Sequence, residues 1–298
     1  MVSRTAAIAA QEDGLLSQWA FRNKLINGNF DLWRRGITFA SGYSAYGPDR
    51  WKIDTTNTTV TRGNAAAPYG LYSLLATPTA ASNACTIAQP LEYQALIPLI
   101  GKKVVFSFFY NAQANQSFTA YLQKAATANN NTGGSGGWTT LASQTFAASA
   151  TVQRGILFAD VPNDGTANGL RVVFTMSNAV SNVGLGLWGV QLEEGVVATP
   201  FEYRPIVVES TLAQAFFETG TFGMEAYGAA NNYMRYHVSY KTTKRVVPSV
   251  VIDSINYSSG LAAPSIVDST EYGFSPRSLV TATGQQAYFG SYRAEAEI

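Results

Sequence analysis

One cysteine, one histidine and few charges set the first limits on this 298-residue chain. With Cys85 alone, no disulfide closes within the chain and no cysteine-rich metal site forms. Cys85 lies in the apolar run Ala84–Ala88, which predicts a buried structural thiol and folding that needs no oxidising compartment. With His237 as the lone imidazole, a histidine zinc site and a Ser-His-Asp triad both lack parts. His237 is therefore expected to be structural or superficial, and neither a metal nor a cofactor is expected. Long apolar runs are missing too. None approaches the roughly 20 residues of a membrane span, and the N-terminus lacks the continuous apolar core of a signal peptide, so membrane insertion and secretion are not expected.

Charge is scarce. Asp, Glu, Lys and Arg make up 13% of the chain, against roughly 25% in ordinary soluble domains. The net charge is +1 and the basic residues are scattered singly, so no stripe exists to neutralise phosphates and no nucleic-acid partner is expected. The short cluster Lys241, Lys244 and Arg245 is expected to be the solvated end of a strand. Thr, Ser, Asn, Gln and Gly take the place of the missing charge, which predicts either a surface largely covered by other subunits or the neutral polar surface common on extracellular and virion β-proteins. A paired-carboxylate glycosidase is the only catalytic class this composition allows. The adjacent Glu193 and Glu194 would point to opposite faces of a strand, and Asp160 and Asp164 straddle a turn. The chain is expected not to be an enzyme.

Hydrophobic residues are 46% of the chain and aromatics 12%, enough for a sizeable core. Residues 1–22 form an Ala-rich, partly helical segment with Leu15, Leu16 and Trp19 at helical spacing, expected to be a frayed terminus, to pack on its own domain or to dock onto a larger assembly. From Asn23 the period becomes two. Val104, Phe106, Phe108 and Tyr110 alternate with Val105, Ser107, Phe109 and Asn111, and similar alternation runs through Phe118–Gln123 and Leu170–Ser177. Shorter strands are expected at 50–55, 59–62, 72–76, 86–91, 139–146, 155–161 and 185–192. About ten short strands and hardly any helix predict an all-β sandwich or barrel. Asn129–Gly137 is a Gly-rich hairpin tip without the Gly-Lys-Ser/Thr ending of a phosphate loop. Beyond Pro205, a short helix is expected within Val207–Thr219, a strand at Tyr233–Thr242, and further strands at 249–255, 265–268, 278–283 and 287–294.

Sugar rings stack their C–H faces on aromatic planes while amides and hydroxyls bind their hydroxyl groups. Tyr110 and Tyr121, with Asn111, Gln113 and Gln123 nearby and Trp138 beyond the loop, are the candidate ligand residues. Most of the other aromatics are expected in the core.

The run Asn27-Gly28-Asn29-Phe30-Asp31-Leu32-Trp33-Arg34-Arg35-Gly36, followed by Pro48-Asp49-Arg50-Trp51, resembles the opening of a bacteriophage tail-fibre or tail-appendage family. Trp188-Gly189-Val190-Gln191-Leu192-Glu193-Glu194-Gly195 and Ala198-Thr199-Pro200-Phe201-Glu202-Tyr203-Arg204-Pro205 resemble the same family's domain ending. They bracket about 180 residues. The resemblance implies a carbohydrate-binding-like jelly roll, a linker and a small C-terminal β domain. Leu212–Phe217 stands where the linker of that family carries Cys and Arg, which this run lacks. Trp33 and Trp51 are expected to anchor the first strands, and Phe201 and Tyr203 to alternate on a closing strand. The motif residues then build the fold, and the resemblance says little about a ligand.

Together these readings give an N-terminal attachment segment (1–22), a jelly-roll β-sandwich (23–205) and a smaller β-rich C-terminal domain (206–298). The expected role is a structural virion protein made in the host cytoplasm. It would be a tail fibre or appendage that joins other virion proteins through Leu15, Leu16 and Trp19, forms a homotrimer and contacts host-surface polysaccharide. The alternatives are an architectural capsid decoration or tail adaptor without a ligand, and a glycan-cleaving spike.

Overall fold

A computed structural model describes residues 21–63, 71–80, 83–113, 116–126, 137–164, 168–177 and 184–297. The N-terminal segment with Leu15, Leu16 and Trp19, and most of the Gly-rich tip, lie outside them. The described chain is all-β, a jelly-roll β-sandwich followed by a smaller β-rich unit. The first unit ends at Arg204 and the second is Pro205–Glu297.

Twelve strands build the sandwich: β1 (Thr38–Phe39), β2 (Ser44–Tyr46), β3 (Lys52–Thr56), β4 (Thr58–Gly63), β5 (Ser73–Pro78), β6 (Ala84–Leu91), β7 (Lys103–Ala112), β8 (Phe118–Ala125), β9 (Trp138–Phe146), β10 (Ser149–Asp160), β11 (Leu170–Ser177) and β12 (Leu185–Glu194). They form two antiparallel six-stranded sheets, β1-β4-β5-β12-β7-β10 and β2-β3-β6-β11-β8-β9. The one regular helix among them, α1 (Tyr93–Leu96), is a single turn. Strict alternation on β7, β8 and β11 sends Phe106, Phe108, Phe118 and Phe174 inward. There Phe108 meets Phe174 edge-on at 4.8 Å between ring centroids and Phe146 at 5.2 Å. Such pairs add about 1 kcal/mol each beyond the area they bury.

The two ends of this unit clasp each other. Asn27 takes a positive φ of 56°, and its amide accepts from the Leu32 N–H and donates to the Leu32 and Asp49 carbonyls. Trp51, fully buried, donates its indole N–H to Asn27 O at 3.0 Å, and Trp33 is also buried. Val190 N donates to Gly28 O at 2.7 Å and Lys24 N to Leu192 O at 2.8 Å. Asn23 bridges the same strands, donating to Val190 O and accepting from Leu25 and Leu192. Only glycine fits at Gly28, because a Cβ there would fall 2.1 Å from Val190 O.

The second unit begins with α2 (Ile206–Gln214), shorter than the expected span because the chain turns into β13 (Phe217–Gly228). It continues with β14 (Tyr233–Arg235), β15 (Val238–Ser239), β16 (Ser249–Tyr257), β17 (Ser265–Val267), β18 (Gly273–Leu279) and β19 (Gly284–Glu295). One sheet has the order β13-β19-β16; β18 pairs with β14, β15 and β17 in the other. The expected single strand at Tyr233–Thr242 is broken. β14 and β15 keep one register on β18, from Tyr233 opposite Leu279 to Val238 opposite Phe274. At Tyr236 the partner is Pro276, which has no N–H to donate. His237 therefore lies in a gap between strands and is exposed, not mid-strand. Met234, Val238 and Tyr240 fill the core of their own unit beside Phe274 and Tyr292.

Two further expectations fail. Lys244 is not a solvated strand end. It is 3% exposed, and its ammonium donates to Glu218 Oε2 and Gln214 O, both at 2.6 Å. Glu218, equally buried, also accepts the Tyr292 hydroxyl at 2.7 Å, so the charge is paired and hydrogen-bonded where burial requires it. Phe201 and Tyr203 lie on no strand, because Gly195–Arg204 runs without regular structure.

Candidate functional site

That irregular segment decides which face of the sandwich is available. On the outer face of the first sheet it is tied down as a strap. The buried Glu193 carboxylate accepts Thr199 N at 2.9 Å, Thr199 Oγ1 at 2.6 Å and Gln191 Nε2 at 2.9 Å. Gln191 accepts Glu202 N at 2.7 Å, and Glu202 in turn accepts the backbone N–H groups of Arg22 and Asn23. Arg154 donates to Ala198 O and Thr199 O and lies over the Phe109 ring. Glu193 is thus committed to holding the strap, while Glu194, its neighbour, faces solvent beside Lys102.

The second sheet carries no such strap among the described residues. On β8 its outer face presents Thr119, Tyr121 and Gln123, half-exposed. Register places Ser143 of β9 and Val173 of β11 on either side of Tyr121, and Thr145 and Thr175 beside Thr119. Thr119 and Thr145 share a hydroxyl hydrogen bond of 2.9 Å. At Gln123 the β8–β9 ladder bulges, and Thr140 and then Trp138 come onto the same face.

Arg171 assembles this corner. It points outward from β11 opposite Gln123, and its Nε donates to Gln123 Oε1 at 2.8 Å. Gln123 Nε2 donates onward to Thr140 Oγ1 at 3.1 Å. The guanidinium lies 4.2 Å from the Trp138 ring centroid, within cation–π range. Burial pulls the Arg171 pKa down to about 10. The guanidinium stays charged at neutral pH and fixes the plane of the Trp138 ring.

Three of the four candidates, Tyr121, Gln123 and Trp138, therefore share one face. Tyr110 does not. It is 6% exposed and turned inward, with Phe118 at 4.9 Å and Phe146 at 5.6 Å. Burial alone raises its phenol pKa. The parity that makes Phe106 and Phe108 core residues includes Tyr110, which is therefore a core side chain. Asn111 has the opposite parity and lies on the first sheet. Sequence reading overlooked Arg171 and Thr140. Arg171 is the one charge within the alternating run Leu170–Ser177, a signal that was present, but its partner across the ladder needed the register. Cys85 is buried under this sheet, its thiol pushed up to about 12 by burial and by the Asp54 charge, and is inert.

No family model and no curated protein sequence matches the chain. Among solved structures it is similar to the enzymatically active domain of bacteriophage CBA120 tailspike protein 4, at 15% identity and a TM-score of 0.42. That match covers 58% of this chain, which spans only 22% of the tailspike chain. It is also similar to TmCBM61 in complex with β-1,4-galactotriose, at 10% identity and a TM-score of 0.38, covering 58% of this chain and 99% of that one. The CBM22-1 xylan-binding domain of Paenibacillus barcinonensis Xyn10C matches at 13% identity and a TM-score of 0.33, covering 54% and 95%. Likenesses this distant carry no argument about activity; the sandwich stands on its own strand order.

Proposed function

We propose that the chain is a structural component of a phage virion, a tail fibre or appendage, that contacts host-surface glycan through the outer face of its second sheet. One observation carries the glycan reading. The unstrapped face holds an aromatic plane, Trp138, against Arg171, with the Gln123 amide and the Thr140 hydroxyl next along the ladder and Tyr121 and Ser143 farther along the same face. Aromatic faces offer stacking to sugar C–H groups, and the amide and hydroxyls match sugar hydroxyls. The virion reading rests on the two sequence motifs, which form the clasp between Asn23–Gly28 and Val190–Leu192. A homotrimer, which would cover neutral surface, accounts for a chain with only 13% charged residues. The N-terminal segment is its proposed attachment to other virion proteins. In this reading the protein cleaves nothing.

The test is a glycan array probed with the wild-type chain and with Trp138→Ala. Binding to a defined set of bacterial polysaccharides, lost in the variant, supports the proposal. An array without any bound glycan favours an architectural component, and release of reducing ends from a bound polysaccharide makes the protein a spike.

A further inference from the structure

The second unit contains a groove of about 920 Å³. One wall is the edge of β13, which ends its sheet among the described residues, and there Gly220, Thr221 and Gly223 line the space. The facing wall is the interrupted segment Tyr236–Ser239, where Tyr236 N donates to Pro276 O at 3.3 Å and Pro276 has no N–H to return. Two aromatics lie in the groove with much of their surface in solvent, Phe289 at 54% exposure and Tyr236 at 47%. Phe289 comes from the central strand β19, and its ring rests against bare backbone at Gly223, where a Cβ would fall 2.4 Å from the ring. The glycine seats one side of the ring and leaves the rest to the groove.

The charge in this groove is one-sided. Lys241 lines it together with the His237 imidazole, and among the described residues neither Asp nor Glu does. Lys241 Nζ donates to Thr219 O at 2.7 Å and has no ion-pair partner among the described residues. Its ammonium has three donors, so it remains available to an anion. The nearby Glu218 is occupied below the groove by the Lys244 ammonium, the Tyr292 hydroxyl and the Lys241 N–H. Thr221 and Ser239 add hydroxyls to the lining.

We infer that this groove binds an acidic saccharide of the uronate class, separately from the face on the first unit. The pyranose ring stacks on Phe289 and Tyr236, its carboxylate meets Lys241 and His237, and Thr221 and Ser239 bond its hydroxyls. A neutral sugar would leave the lysine unanswered, and an acidic peptide strand on the β13 edge would leave the two exposed rings without their stacking partner.

Calorimetry on the full chain tests this with an α-1,4-linked tetragalacturonate, its fully methyl-esterified form and a pentaglutamate peptide. The free acid should bind saturably, and the ester at least tenfold more weakly. Phe289→Ala should weaken acid binding at least tenfold with an unchanged circular dichroism spectrum, and Phe289→Tyr should restore it. Trp138→Ala should leave it intact. The inference is overturned by no saturable binding, by equal binding of acid and ester, by tighter binding of the peptide, or by loss in Trp138→Ala with retention in Phe289→Ala.

Discussion

The two outer faces of the sandwich are built from the same kind of strand and end in opposite conditions. On the first sheet, Gln191, Glu193 and Arg154 are consumed by the strap at Ala198–Glu202, and polar side chains that look like site residues serve as fasteners. On the second sheet, Gln123 bonds to Arg171 and Thr140 of its own sheet, Trp138 lies against Arg171, and both keep surface in solvent, as does Tyr121. The difference teaches that polarity on a strand does not mark a site. What matters is whether a later part of the chain returns to use it.

This contrast can be broken at the clasp. Gly28→Ala would drive a methyl into the Val190 carbonyl, and overpacking of this kind costs about 2–3 kcal/mol, read as a lowered midpoint in urea unfolding. An unshifted midpoint would mean that the strap is held without the clasp. Glu193→Ala strands the Thr199 N–H and leaves Gln191 Nε2 only its longer bonds to Thr199 Oγ1 and Pro200 O, and should cost about 1–3 kcal/mol. Trp138→Ala on the open face should cost about 1 kcal/mol or less while abolishing the proposed glycan binding. If the two substitutions proved equally destabilising, the distinction between fastened and open faces would fail.

A smaller effect probes the core under the open sheet. The Cys85 thiol is raised from 9.0 to about 12 in the folded state. The unfolded chain therefore loses its proton first. The stability this thiol contributes is complete below pH 9, falls as pH rises above it and is gone once pH passes about 12. Cys85→Ala should flatten the wild-type decline in stability between pH 9 and 11. A thiol reagent at pH 8 should label Cys85 only after denaturation. Labelling of the native protein would show that this core opens.

Much of the fold was legible in local pattern. The alternating runs on β7, β8 and β11 announce strands because side chains on a strand change face at every residue. The same rule placed Glu193 and Glu194 apart, and the apolar setting of Cys85 predicted its burial. Patterns misled where a distant residue intervened. Tyr233–Thr242 reads as one strand because nothing local reveals Pro276 opposite Tyr236. Lys244 reads as solvated because Glu218 lies 26 positions earlier in the chain. Tyr110 was misjudged for a different reason. Its parity was visible, but an aromatic with a hydroxyl suits a core and a binding face equally well.

The sequence by itself determined that this chain is all-β, that its sole thiol is buried, and which residues of each strand share a face. Those properties follow from composition and from a period of two, which need only neighbouring residues. Tertiary structure alone decided which face stays open, that Arg171 and Trp138 meet, and that a groove lies between β13 and Tyr236–Ser239. Each depends on ladder register or on a returning segment. A shift of one residue in register would turn every one of those side chains to the opposite face.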